Sequence, residues 1–282
     1  MARFTNYATL TYSGGTTDSN TVTGELLETL SMTKTALPER YRPGDRVSFV
    51  VSMVNSGNLP LTNLTLTDQL GSYSLGSATL YPLAYEENSL RLFSNGVAQT
   101  PPTVASTAPL TITGITVPAG GNVQLIYQAT VTAFAPLGTE ATVTNQVTAT
   151  GGISNPVTAS ATIGNASAVD LQVTKALSPT AVAENGQITY TFVIANRGSI
   201  PAGTADQAVL TDTFNPRLTN LTVTYNTAAW TAGVNYSYDA ATGLFTTLPG
   251  QITVPAATYT QNTDGTWSTT PGTATVTITG TI

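Results

Sequence analysis

The chain contains no cysteine and no histidine, and only 9% of its 282 residues are charged. Without these two residue types, disulfides, thiol nucleophiles, Cys/His metal sites and catalytic triads with an imidazole base are excluded. The acidic residues are scattered and show no Ca²⁺-loop spacing. We therefore expect no cofactor, no metal site and no enzymatic activity.

Basic residues and long apolar runs are also scarce. The chain has nine Lys and Arg residues and fifteen Asp and Glu residues, which gives a net charge of −6. Nucleic-acid binding requires clustered Lys and Arg, so no such partner is expected. No apolar run approaches the roughly 20 residues of a membrane-spanning helix, so no membrane insertion is expected. The first residues do not resemble a signal peptide, which leaves unusual export or release by cell lysis open.

The most informative feature that is present is an internal repeat. Residues 30–37 (LSMTKTAL) match 171–177 (LQVTKAL), and residues 43–57 match 184–198. Both matches have the same offset along the chain. Further on, residues 66–68 (LTD) match residues 210–212 (LTD), which places Asp68 and Asp212 at equivalent positions. The chain is therefore expected to carry two copies of one domain.

Within each copy, apolar and polar residues alternate with a period of two, which is typical of half-buried strands. Clusters of Gly, Pro and Asn separate these runs, and no helical period is sustained. Many short strands in this arrangement indicate a two-sheet sandwich. We predict an all-β fold with two tandem Ig-like β-sandwich domains (28–165 and 166–282), preceded by an N-terminal donor strand segment (1–27).

The N-terminal segment resembles the end of the first repeat. Residues 4–23 (FTNYATLTYSGGTTDSNTVT) read like residues 143–158 (VTNQVTATGGISNPVT), which close repeat one. No third copy follows repeat two, so we expect the second sandwich to lack its closing strand. An extended segment from another chain can fill such a gap in a defined register. One face of residues 4–12 is expected to carry the donor residues Phe4, Asn6, Ala8, Leu10 and Tyr12, and Val22 is a further expected donor residue.

A contact that uses different surfaces on two partners and does not close into a ring produces a filament. The sequence therefore predicts a structural subunit of a self-assembling, pilus-like fibre on the outside of a cell or a spore, polymerised head-to-tail. Three alternatives stay open. Residues 1–23 can cover the edge of repeat one, the chain can be a piece of a longer array, or the segment can dock within its own chain or a closed ring.

Residues 30–36, 47–57 and 66–68 resemble the motifs of an Ig-like repeat family of prokaryotic surface proteins, catalogued as domain of unknown function eleven. The resemblance covers nearly the whole chain and implies an Ig-like fold and an extracellular, cell-surface location. The chain departs from the family pattern at Ala195, in the irregular stretch 227–270, and in the shifted closing strand.

The chain contains two lysines, Lys34 and Lys175, at equivalent positions of the two repeats. They resemble the lysines of self-crosslinking surface domains of Gram-positive bacteria, in which a first-strand Lys joins a last-strand Asn with the help of a buried carboxylate. This resemblance implies isopeptide candidates in each repeat: Lys34, Asp68 and Asn145 in the first; Lys175, Asp212 and Asn6 in the second. The alternative is that both lysines are solvated cations paired with Asp68 and Asp212.

An adhesin or glycan-binding module is the competing function. Its candidate surface is an aromatic set that can equally fill the core: Trp230, Tyr236, Tyr238 and Trp267. Glu86 and Glu87 form the one paired carboxylate run, for which a solvated loop is expected rather than a glycosidase pair.

Overall fold

The computed structural model describes residues 2–26 and 29–282, and the predicted all-β class is confirmed over them. The one helical segment in these residues is a single 3-10 turn, Thr204–Asp206. None of the described helical segments is long or apolar enough to span a bilayer. The chain divides into two compact units: unit 1 is Met1–Ala133 with Val143–Ile163, and unit 2 is Phe134–Thr142 with Gly164–Ile282. The predicted boundary at residues 27 and 28 lies outside the described residues.

The N-terminal segment is a hairpin, which we call the N-terminal hairpin (residues 2–26). Its strands pair only with one another among the described residues, β1 with β4 and β2 with β3. They are β1 (Ala2–Asn6), β2 (Thr9–Tyr12), β3 (Gly15–Asp18) and β4 (Val22–Leu26).

The first half of the hairpin is interrupted between Asn6 and Thr9, so residues 4–12 form two strands, β1 and β2. At the interruption, Ala8 N donates to Ser19 Oγ (2.9 Å), and Ser19 N donates to Ala8 O (2.8 Å). The returning strand thereby contributes one residue more than the first, which is a β-bulge.

Unit 1 continues with two sheets that pack as a sandwich. One has the order β13-β12-β16-β7-β5, with β11 also paired to β16, and the other has the order β14-β15-β8-β17-β18-β6. The strands are β5 (Leu30–Leu37), β6 (Arg40–Tyr41), β7 (Arg46–Asn55), β8 (Leu61–Asp68), β9 (Tyr73–Leu75), β10 (Ala78–Leu80), β11 (Leu83–Tyr85), β12 (Arg91–Ser94), β13 (Val97–Gln99), β14 (Thr103–Thr107), β15 (Leu110–Val117), β16 (Asn122–Val131), β17 (Thr142–Thr150) and β18 (Val157–Asn165).

The core of unit 1 follows the alternation in its strands. On β7 every second residue is buried, and β17 shows the same pattern. Successive side chains of a strand point to opposite faces, so one face of each strand enters the core. The buried residues of these two strands are Val47, Phe49, Val51, Met53, Asn55, Val143, Asn145, Val147 and Ala149.

Unit 2 has one sheet with the order β19-β20-β28-β22-β23, a three-stranded sheet β21-β25-β24 and the hairpin β26-β27. Its strands are β19 (Leu171–Ser178), β20 (Gln187–Asn196), β21 (Thr211–Thr213), β22 (Thr219–Tyr225), β23 (Ala228–Trp230), β24 (Tyr236–Asp239), β25 (Leu244–Thr247), β26 (Thr258–Gln261), β27 (Trp267–Thr270) and β28 (Gly272–Thr281).

The repeat fixes how the two units correspond. By sequence, β5, β7 and β8 match β19, β20 and β21, and β21 pairs with β25 as β8 pairs with β15. The other edge of β8 is covered by β17, whereas no described strand pairs with that edge of β21. We call it the open edge of unit 2.

Candidate functional site

A buried lysine–aspartate pair crosses the core of unit 1. Lys34 Nζ, from β5, donates to Asp68 Oδ2 at the end of β8, and the Tyr127 hydroxyl of β16 donates to the same oxygen. The other carboxylate oxygen accepts from Leu70 N (2.9 Å). The Lys34 side chain is 0% exposed and that of Asp68 is 2% exposed. The alternative of a solvated cation therefore does not describe Lys34.

The surroundings of Lys34 make its proton easier to remove than in water. Burial lowers the pKa of Lys34 to about 8, against the opposing effect of Asp68. Its Nζ lies 4.8 Å from the ring centre of Phe49, which stacks on Tyr127 with 5.5 Å between centroids. A lysine that loses its proton in an apolar pocket becomes a nucleophile.

Asn145, on β17, completes the predicted set in unit 1. Its side chain is fully buried, and its Oδ1 accepts from Gly71 N (3.2 Å). Its Nδ2 is buried and has no acceptor in hydrogen-bonding geometry. A buried amide with an unsatisfied nitrogen is unusual in a native core. The amine, the carboxylate and the amide are the three groups that isopeptide formation needs, and the Lys34–Asn145 bond stays a prediction.

Sequence reasoning missed Tyr127. Burial, together with Asp68, raises the pKa of its hydroxyl, and Asn145 acts weakly in the opposite direction. The only signal in the sequence is that Tyr127 occupies an inward position of an alternating strand, and a tyrosine buried there needs a hydrogen-bond partner.

The equivalent pair in unit 2 lies at the surface. Lys175 Nζ donates to Asp212 Oδ2 (2.6 Å), yet the two side chains are 42% and 18% exposed. The lysine again lies over aromatic rings, 4.6 Å from the centre of Tyr190 and 5.6 Å from that of Phe214. Unit 2 thus presents the same two charged groups at its open edge.

A groove of about 140 Å³ adjoins the open edge. Its walls come from β19, from the end of β20 and from the residues that precede β21. The lining is mostly apolar and consists of Leu171, Gln172, Val173, Ile194, Ala208, Val209, Leu210 and Ile252. Val173 and Val209 are 56% and 46% exposed, so this surface shows apolar side chains to water.

The N-terminal hairpin is also apolar and exposed. Phe4 and Leu10 are 58% and 65% exposed, and Asn6 is exposed between them. The ring of Phe4 lies over Gly24, where a Cβ would come within 2.3 Å of it. Val22 pairs directly with Asn6, so the two side chains share a face, and their role as donor residues stays a prediction.

The candidate glycan residues serve largely as packing. Tyr236 is buried against Phe245, and the Tyr238 hydroxyl bonds to the backbone of Leu218 at 2.9 Å. Trp230 stacks on Tyr225, with 4.9 Å between centroids. Trp267 lies on β27, apart from these sheets. Glycan binding stays a prediction.

Two further predictions concern acidic residues. Glu86 accepts from the Thr130 hydroxyl and lies 3.6 Å from Arg46, so it acts as a local contact near the surface. No group of three or more acidic residues that could hold a metal ion occurs in residues 2–26 and 29–282.

No protein-family model matches the sequence, and no curated protein matches it. Among solved structures, the major pilin subunit of Bacillus cereus is 12% identical, with 95% of this chain and 73% of that one covered and a TM-score of 0.38. The pilus backbone of Streptococcus pneumoniae is 12% identical, with 90% and 51% covered and a TM-score of 0.35. The C-terminal domain of the BspA polypeptide of Streptococcus agalactiae is 11% identical, with 89% and 91% covered and a TM-score of 0.34. Scores of this size carry no argument about the function of this chain.

Proposed function

We propose that the chain is a structural subunit of a pilus-like fibre, a homopolymer in which the N-terminal hairpin of one copy docks on the open edge of unit 2 of the next. The fibre belongs outside the cell, on a cell or spore surface. The resemblance of residues 30–36, 47–57 and 66–68 to prokaryotic surface repeats supports this location.

The observation that carries the proposal is the difference between β8 and β21. In unit 1, β17 pairs with β8 and buries Val147 and Ala149. In unit 2, the matching edge of β21 has no described partner and adjoins the apolar groove. An unpaired sheet edge with apolar surroundings is a template for another strand.

The N-terminal hairpin has the sequence to fill that edge. Residues 4–11 align with residues 143–150, and Val147 pairs with Asp68 while Ala149 pairs with Leu66. The same register places Ala8 opposite Asp212 and Leu10 opposite Leu210. The second strand of the hairpin then lies where β18 lies in unit 1. The docked sheet would have the order β24-β25-β21 followed by the two hairpin strands of the next copy.

Docking would remove apolar side chains from water on both partners. Burial of a side chain such as Phe4 or Leu10 contributes about 1.5–3 kcal/mol each. New ladder hydrogen bonds satisfy the free backbone groups of β21 and add specificity of register. Because a one-residue slip would turn Asn6 and Leu10 outward, a single register is expected.

Negative-stain electron microscopy of the full chain, beside a variant that lacks residues 1–24, tests the proposal. We expect filaments from the full chain and none from the truncated variant. Dispersed particles from both would overturn it and favour the adhesin or glycan-binding module. Discrete closed rings would show that the contact closes instead of propagating.

A pair of point variants separates docking from a general effect of the hairpin. Leu10→Asp places a charge on the face that enters the groove, and we expect it to abolish filaments. Thr11→Asp places the same charge on the opposite face and should leave them. Equal behaviour of the two variants would contradict the proposed register.

A further inference from the structure

The open edge of unit 2 holds two of the three groups of the buried cluster in unit 1. Lys175 contacts Asp212 over an aromatic ring, as Lys34 contacts Asp68. In unit 1, β17 adds the amide of Asn145. No described strand of unit 2 brings an amide to that position.

Docking in the proposed register would supply the amide, so this inference rests on the proposed function. With Ala8 opposite Asp212, Asn6 takes the position relative to Lys175 and Asp212 that Asn145 has relative to Lys34 and Asp68. Asn6 is exposed in the hairpin and therefore accessible before docking.

Docking would also change the solvation of the Lys175 amine. In the dispersed subunit the Lys175 side chain is 42% exposed to water. A strand laid across the open edge excludes that water. Desolvation disfavours the charged form, and a neutral lysine is the nucleophile. The chemistry is therefore expected after docking and not in the free subunit.

We infer that Lys175 of one copy forms an isopeptide bond with Asn6 of the next. Lys175 Nζ attacks Asn6 Cγ, and the bond between Cγ and Nδ2 breaks. Asp212 accepts a proton from Nζ and delivers a proton to the departing nitrogen, which leaves as ammonia. The products are one secondary amide and one ammonia for each joint, and no oxidant or cofactor is consumed.

The test compares filaments before and after boiling in detergent. We expect a ladder of covalent multimers on a denaturing gel, and a cross-linked peptide that contains Lys175 and Asn6 and has lost one ammonia. Because the chain has only two lysines, fragment-ion spectra distinguish Lys175 from Lys34 without ambiguity.

Three variants each remove one reacting group: Asn6→Ala, Lys175→Arg and Asp212→Asn. Filaments of the first two should dissolve into monomers on the gel, whereas filaments of the unaltered chain should not. Asp212→Asn should slow the appearance of the ladder by about 100-fold or more, which is the size of general acid–base catalysis. Asn20→Ala, at an exposed position between β3 and β4 of the same hairpin, is the matched control and should keep the full ladder.

If filaments of the unaltered chain dissolve into monomers and no cross-linked peptide is found, the covalent inference is overturned. The proposed function as a fibre subunit would still stand. Absence of filaments would instead overturn the proposed function. A ladder that persists in Asn6→Ala would assign the bond to another residue and would also overturn the inference.

Discussion

Lys34 and Lys175 occupy equivalent positions on β5 and β19, and each contacts an aspartate on the equivalent strand of the facing sheet. The Lys34 side chain is fully buried, whereas that of Lys175 is 42% exposed. The first strand and the carboxylate-bearing strand are present in both units. What differs is β17, which covers the pair in unit 1 and has no described counterpart in unit 2. One strand thus separates a buried cluster from a surface ion pair.

The same two side chains should therefore contribute very differently to stability. Removing one partner of a buried pair leaves the other charge without compensation in the core. Removing one partner of an exposed pair leaves a group that water solvates. Variants at equivalent positions measure that difference directly, and because both tryptophans, Trp230 and Trp267, lie in unit 2, their fluorescence reports on that unit alone.

The largest effect is expected for Lys34→Ala. It leaves Asp68 buried and unpaired and should lower the free energy of unfolding of unit 1 by about 3–5 kcal/mol. Hydrogen exchange of the β7 and β8 amides measures this, while tryptophan fluorescence of unit 2 should not change. The double variant Lys34→Met with Asp68→Leu removes both charges and should recover part of the loss. A loss below about 1 kcal/mol for Lys34→Ala would contradict the buried pair.

Substitutions at equivalent positions should lower the stability of the two units by similar amounts where the two structures agree. Asn55 is buried, accepts from Gly57 N (2.9 Å) and donates to Leu59 O (2.8 Å). Asn196 is buried and makes the same contacts with the same spacing, to Gly198 N and Ile200 O at 2.9 and 2.8 Å.

Asn55→Ala and Asn196→Ala each leave buried backbone groups unsatisfied, and each should cost its own unit about 1–3 kcal/mol. Hydrogen exchange for unit 1 and fluorescence-detected urea unfolding for unit 2 measure the two losses. A much smaller loss in unit 2 would show that the units differ beyond the closing strand.

Much of this comparison could be predicted from the sequence. The alternation of Val47, Phe49, Val51 and Met53 indicates a strand with one buried face, because a period of two is a local property of the chain. The internal repeat then aligns Lys34 with Lys175. A lysine–aspartate contact predicted in one repeat is therefore predicted in the other as well.

Contacts between distant strands could not be predicted in the same way. The Tyr127 hydroxyl bonds to Asp68 across 59 residues of sequence, and position 278, its equivalent in repeat two, is an isoleucine. Likewise, the interruption after Asn6 depends on Ser19 reaching the Ala8 backbone, which no alternation pattern encodes.

A pH dependence specific to unit 1 gives a smaller effect. Folding lowers the pKa of Lys34 from 10.5 to about 8, so the unfolded chain binds more protons between these values. Stability should therefore rise with pH above about 8, by at most about 1.4 kcal/mol per pH unit. Above pH 10 the raised pKa of Tyr127 opposes the rise, since the unfolded tyrosine loses its proton first.

Urea unfolding of unit 1 at pH 8, 9 and 10 measures this rise, and Lys34→Met should abolish it. A bond between Lys34 and Asn145 would also abolish it, since an amide does not titrate. The mass of the denatured subunit distinguishes the two cases, because only the bond removes ammonia. A flat profile with an unchanged mass would contradict the lowered pKa of Lys34.

The smallest effect is expected for Lys175→Ala in the dispersed subunit lacking residues 1–24. The pair with Asp212 is solvent-exposed, so its loss should change the stability of unit 2 by no more than about 1 kcal/mol.

Adding a peptide of residues 2–26 should stabilise unit 2, by about 2.7 kcal/mol at a hundredfold excess over its dissociation constant. With bound peptide, Lys175→Ala leaves Asp212 covered and unpaired. The loss of unit 2 stability that this variant causes should therefore grow toward the value for Lys34→Ala. Tryptophan fluorescence during urea unfolding, with and without peptide, measures both costs. An unchanged cost with saturating peptide would mean that the hairpin does not cover the pair as β17 covers its equivalent.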